Sequence, residues 1–346
     1  MVLTLYFLSA ALDRGDAMLC WTDWDTQVKK FVVAKERSLE RWFLRYLHST
    51  DILKELAESL ALSVPLRTCI VNVRSVWIDG TPQALGKTVS GKTVKCELAD
   101  LLIIIQNWDS TSGRVTRRRG ILLQAKLCER FGRLAGGRST ANERDLLELL
   151  DRSKPLALFK DTKRTSLLNP RSQYVLSKST LVSSSLVSGL ADCSSYLLFP
   201  SRRFKEPFIP YHPFVLGWPK CRSIKSIKPA TSVEQAFNLL SLGRMFGRDV
   251  LDQSLSNQCE WTRMVYDLLG GYASLMMRPS APWPFPRVNN ISIKTTKYAQ
   301  NTLVMFRRHM GGPPTADILD DTIRQPPYIS VIVADVHSSD VDPDLA

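Results

Sequence analysis

The sequence predicts an α/β protein, a central mixed sheet flanked by helices, followed by a mainly helical C-terminal extension. Three observations carry that expectation. Residues 101–105 and 121–123 are aliphatic runs of the kind that fills strands covered on both sides. Between them, Asn107-Trp108-Asp109-Ser110-Thr111-Ser112-Gly113 is dense in turn formers, which joins the two runs as an antiparallel hairpin. Upstream, residues 38–62 alternate apolar and charged positions at helical spacing, with Leu39, Trp42, Phe43, Tyr46 and Leu47 on one side.

In chain order, residues 1–30 read as an N-terminal extension, its first seventeen as an upstream start or a marginal segment. The apolar stretch 2–12 lacks a basic leader and is too short to cross a bilayer. Residues 31–200 form the α/β core: the 38–62 helix, ended by Val64-Pro65; strands at 69–78, 98–106 and 121–127; a short helix over 142–150 begun at Thr140; and strands at 173–176 and 196–199. Residues 201–230, with Pro207, Pro210, Pro213 and Pro219, read as a basic connector. Residues 231–336 hold helices at 233–246 and 259–275, a Pro/Trp-rich loop over 278–286 and an apolar strand at 328–336. The acidic tail 337–346 is expected to be disordered.

The two aliphatic runs carry groups that an interior strand avoids. Asp100 begins the first, and Gln124 and Lys126 sit two apart in the second, so a strand points both to one face. The plain reading is that Asp100 closes a turn and Lys126 extends its amine from a strand end. Strand-borne Asp100 followed across a hairpin by Gln124-Ala125-Lys126 also resembles the PD-(D/E)XK superfamily of metal-dependent nucleases, in its Gln-x-Lys variant. That resemblance implies a restriction-endonuclease-like fold and Mg²⁺- or Mn²⁺-dependent hydrolysis of phosphodiester bonds, in the setting of defence against foreign DNA. It implies Asp100 and Gln124 as metal ligands, with the Ala125 carbonyl, and Lys126 as the catalytic cation. A glutamine at position 124 removes one negative charge. An auxiliary carboxylate is therefore expected, from Glu40 (or Glu36) on the preceding helix, or from Glu97. The proline usual before the aspartate is absent, Ala99 standing there.

A second motif overlaps the approach to Asp100. Gly86-Lys87-Thr88-Val89-Ser90-Gly91-Lys92-Thr93 fits the phosphate-cradling loop of nucleoside triphosphatases, with Asp335 as a conceivable Mg²⁺ partner. Its context is wrong: Gly80 and Pro82 separate it from the preceding strand, and Val94-Lys95-Cys96 leads on to another strand rather than opening a helix. The alternative is a basic loop meeting phosphates.

The chain has 346 residues, 44% of them hydrophobic, enough for a substantial core. A formal charge of +13 favours a polyanionic partner. Thirteen Lys and Arg face three carboxylates between Lys154 and Lys228. Lys92, Lys95, Arg117, Arg118, Arg119, Lys163 and Arg164 are the expected phosphate contacts. Nucleic acid, DNA first, is thus the expected partner, in the cytoplasm, with no membrane partner and a homodimer left open. A non-catalytic nucleic-acid-binding protein is the alternative. Seven scattered cysteines without C-x-x-C spacing argue against zinc and disulfide scaffolds. His48 reads as lying on a helix flank, and Trp218, Trp261 and Trp283 as packing anchors rather than base-stacking platforms.

Overall fold

The structure, a computed structural model, describes residues 19–63, 68–78, 82–130, 133–134, 137–179, 188–203, 212–218, 231–244, 247–270, 300–308, 315–319 and 327–339. The expectations for residues 1–17, for most of the Pro-rich connector, for the 278–286 loop with Trp283 and for residues 340–346 lie outside the described residues.

Aliphatic strand sequences build one mixed sheet, eleven-stranded among the described residues. Its order is β11 (Thr231–Ser232), β10 (Val215–Gly217), β9 (Ser194–Pro200), β5 (Arg114–Arg130), β4 (Leu101–Asp109), β15 (Ser330–Ser339), β1 (Thr68–Trp77), β13 (Gln300–Arg308) and β14 (Thr315–Leu319). Two short strands, β6 (Arg133–Leu134) and β12 (Arg248–Asp249), also pair with β5. β4 runs parallel to β15, and β5 parallel to β9. A smaller antiparallel sheet holds β3 (Thr93–Glu97), β2 (Gln83–Lys87), β7 (Leu156–Phe159) and β8 (Gln173–Tyr174).

Alternation along the strands divides the core between the two faces of the large sheet. Val71, Leu101, Ile103, Leu123 and Ile332 pack on one side with α1 (Trp21–Ala34), α2 (Leu39–Leu47) and α3 (Thr50–Ser63). The other face presents Leu102, Ile104, Leu122, Tyr196 and Val333 to α4 (Arg138–Leu149) and to the small sheet. On the first face lies α5 (Val233–Ser241), and on the second α6 (Glu260–Leu269). Trp218 and Trp261 are buried in the core, as packing anchors should be. No helix among the described residues is long and apolar enough to cross a membrane.

The α/β class and the mixed sheet flanked by helices are as expected, and several elements differ. The 38–62 helix is two, α2 and α3, parted at His48. His48 is buried rather than flanking, its Nδ1 against the Ser75 hydroxyl, and burial lowers its pKa to about 3. Residues of the expected N-terminal extension form α1, where the Trp24 indole N–H donates to the Pro200 carbonyl at 3.1 Å. The C-terminal region is not a helical appendage. β15 lies between β1 and β4, because Val331 and Val333 on one side and Ile332, Ala334 and Val336 on the other suit a strand covered on both faces.

Candidate active site at the overhang of β5

The hairpin ends unevenly. β4 pairs with β5 only as far as Leu101 opposite Leu123, whereas β5 continues along β9 from Gln124 opposite Tyr196 to Cys128 opposite Pro200. Its edge beyond Leu123 is therefore not met by β4, and main-chain groups there need other partners. Two carboxylates take that role. Asp100, anchored by its own N–H to the Leu123 carbonyl at 2.9 Å, accepts the Ala125 N–H at 2.8 Å. Glu40, in the first turn of α2 behind the Ser38 cap, accepts the Leu127 N–H at 3.1 Å.

The strand period sends Gln124 and Lys126 to the same face as Leu122. There the Gln124 amide donates to the same Asp100 oxygen that accepts from Ala125. The Lys126 ammonium lies 2.7 Å from Glu143 and 3.9 Å from Glu40. Glu143 comes from α4 and is 3% exposed; the Ser139 hydroxyl donates to its other oxygen at 2.7 Å. Asp100, Gln124, Lys126 and Glu40 thus come together around the overhanging end of β5.

Electrostatically the pocket is over-supplied with carboxylates. Burial pushes the Asp100 carboxyl up to about 8; Lys126 and the Ala125 N–H oppose this, and Glu40 and Glu97 reinforce it. Glu40 is raised by burial too, against the pull of Lys126 and the Leu127 N–H. Burial alone would lower the Lys126 pKa, but Glu40, Asp100 and Glu143 together raise it, so the amine stays an ammonium. Burial and Glu143 drive the Cys96 thiol up to about 12, which leaves it no nucleophilic role at neutral pH.

Hard-cation chemistry needs oxygen donors. The Gln124 side-chain oxygen is buried without a hydrogen-bond partner, on the amide whose nitrogen donates to Asp100. In a strand a residue's C=O and N–H point to the same edge, so the Ala125 carbonyl opens on the side of the Asp100 carboxyl. Among the described residues no three His, Cys, Asp or Glu side chains form a metal-holding group, so an ion here has to draw on Gln124 and main-chain oxygen as well.

The remaining expected residues divide. Glu97, half-buried at the end of β3, acts on Asp100 and Glu40 through its charge. Glu36 does not join the site; it pairs with Arg45 at 3.3 Å on the surface. Lys95 and Lys163 are exposed, Lys92 reaches Asp145 at 2.5 Å from an exposed position, and Arg164 donates to the Gln83 side chain at 3.1 Å.

The arginine triplet 117–119 lies within β5, seven or more residues from Lys126, roughly 23 Å along the strand. Arg117 is exposed, Arg118 and Arg119 are not free for phosphate. Arg118 is buried, donating to Gln106 at 2.5 Å, Asp252 at 3.1 Å and the Tyr266 hydroxyl at 3.2 Å. Arg119 donates to the carbonyls of Gly243 and Gly247.

The segment 86–93 forms no phosphate cradle. Gly86 pairs with Val94 and Lys87 with Thr93 in a β2–β3 hairpin, whose turn needs the positive φ of 83° at Gly91. Asp335 is buried elsewhere, accepting from Gln106 at 2.7 Å. Glu143 is the site residue that sequence reasoning missed. Its signal was a carboxylate three and four residues before Leu146 and Leu147, on their core-facing side of the helix.

A scan against protein-family models, a search of curated proteins and a search of solved structures each find no match for this chain.

Proposed function

We propose that the chain is a divalent-cation-dependent nuclease of the restriction-endonuclease-like kind, cutting phosphodiester bonds of DNA. The observation that carries this reading is the overhang of β5, where Asp100 binds both the Gln124 amide and the Ala125 N–H while Lys126, two residues on, faces Glu40 from the preceding helix. Leaving aside short β6 and the strands of the small sheet, β2, β3, β7 and β8, the succession α3, β1, the β4–β5 hairpin, α4 and parallel β9 is compatible with the expected core, with β15 inserted between β1 and β4.

In this reading Asp100, the Gln124 oxygen and the Ala125 carbonyl would hold Mg²⁺ or Mn²⁺. A bound divalent cation supplies a polarised phosphoryl oxygen and a water of lowered pKa. Lys126, kept protonated by its carboxylate neighbours, offsets phosphate charge and orients the attacking water rather than removing its proton. Glu40 fixes the overhanging strand through Leu127 and balances Lys126. Lys95 and Lys163 supply exposed positive charge for the nucleic-acid backbone.

Supercoiled plasmid incubated with the protein and Mg²⁺ or Mn²⁺ tests the proposal. Cation-dependent nicking that Asp100→Asn abolishes supports it; absence of cleavage by the wild type contradicts it. One observation favours a second reading, a non-catalytic DNA-binding protein: position 124 supplies no carboxylate, and no group of three acidic or histidine ligands forms among the described residues. Retention of DNA with no cleavage under either cation would select that reading.

A further inference from the structure

We propose that Glu143 is the second acidic ligand of the ion site, supplying from α4 the negative charge that position 124 lacks. The inference rests on the nuclease reading above.

The helix leaves Glu143 little choice of direction. It precedes Leu146 and Leu147 by three and four residues on the core-facing side of α4, and its side chain is 4% exposed. One carboxylate oxygen is fixed by the Ser139 hydroxyl at 2.7 Å. The other points at the Lys126 ammonium, 2.7 Å away. A buried carboxylate held this way needs a cation, because desolvation of an unpaired charge is costly.

Lys126 satisfies that need only in part. The same ammonium faces Glu40 at 3.9 Å and interacts with Asp100. One ammonium thus stands among the carboxyl groups of Asp100, Glu40 and Glu143. Independently of charge, the Gln124 side-chain oxygen is buried without a hydrogen-bond partner, on the amide whose nitrogen donates to Asp100. Carboxyl groups gathered around one ammonium, beside a side-chain oxygen without a partner, offer the oxygen donors that a hard dication takes. With an ion bound, Glu143 would hold it in place of its contact with Lys126, and the ammonium would be left to face a phosphate.

The competing assignment makes Glu143 the counterion of Lys126 and nothing more. Calorimetric titration of the full chain with MnCl₂ separates the two. Wild type binds Mn²⁺, and E143Q weakens binding at least about tenfold, since losing even an outer-shell partner of a metal ligand costs about that much. Since a glutamine buried beside Lys126 can impair folding, K126M and K126M/E143Q form a second pair, with circular dichroism reporting the fold. K126M frees the carboxylate and binds Mn²⁺ more tightly than wild type; K126M/E143Q loses that gain. Affinity unchanged by E143Q in either background overturns the assignment while leaving the nuclease reading intact. A wild type that binds no Mn²⁺ overturns both.

Discussion

Asp100 accepts the Ala125 main-chain N–H at 2.8 Å, at the point where β5 outruns its partner β4. This contact does two things. It completes the hydrogen bonding of an unmatched strand edge, and it places a carboxyl with a pKa near 8 beside Gln124 and Lys126.

Asp100→Asn is expected to abolish cation-dependent DNA cleavage while raising thermal stability at pH 8. Its folded-state pKa of about 8 lies above the ordinary 3.8, so the protonated form favours the fold and that contribution is lost as pH rises toward 8. Asparagine removes this penalty and still accepts from Ala125. Thermal melts at pH 8 and pH 4 check it: the variant melts higher at pH 8, and the gap closes at pH 4. A lower melting temperature at pH 8 would mean that the charged carboxylate supports the fold.

Lys126→Met is expected to destabilise the protein by about 3 kcal/mol, because it strands the buried carboxylate of Glu143. Adding Glu143→Gln should restore most of that loss without restoring cleavage. Urea unfolding of the two single variants and the double variant gives the coupling directly. Additive losses would show that the 2.7 Å ion pair carries no stability.

His48 sets an acid limit. Its pKa of about 3 in the fold lies below the ordinary 6.5, so the neutral form favours folding and stability falls as pH drops below 6.5, by up to about 1.4 kcal/mol per pH unit. His48→Gln should flatten the fall in urea midpoint between pH 7 and pH 5. An equally steep fall in the variant would assign acid sensitivity to other groups.

Arg118 and the exposed lysines should behave in opposite ways. Arg118→Ala is expected to cost about 2–3 kcal/mol, since it removes a buried guanidinium bonded to Gln106, Asp252 and the Tyr266 hydroxyl. Lys95→Ala and Lys163→Ala should leave stability unchanged and weaken DNA binding uniformly across sequences, each lowering the salt slope by about 1. Binding isotherms at several salt concentrations, beside urea melts, separate these effects.

The parts of the fold that were legible in the sequence are those written in local periodicity. The aliphatic runs and the turn formers at 109–113 locate the β4–β5 hairpin, and the two-residue spacing of Gln124 and Lys126 gives their common face. Extending that spacing backward through Leu122 and Gly120 reaches Arg118, which explains why it is inward while its neighbour Arg117 is exposed. The helix break at His48 was hidden because its apolar stripe continues through Ile52 and Leu53. The insertion of β15 between β1 and β4 is a pairing between positions over two hundred residues apart, which no local pattern records. Glu143 was missed because a glutamate in a charged helix reads as a solvated side chain until its distance to the leucines is counted. At Gly86–Thr93 the motif matched and its context argued against it, and the residues form the turn of a hairpin paired from Lys87 to Thr93.

The most direct measurement is the anomalous difference map of crystals soaked in MnCl₂. The account predicts a manganese peak at roughly 2–2.3 Å from an Asp100 carboxylate oxygen, with the Gln124 side-chain oxygen turned toward it. A map with no peak at the β5 overhang, in crystals that take up Mn²⁺ elsewhere, would contradict it.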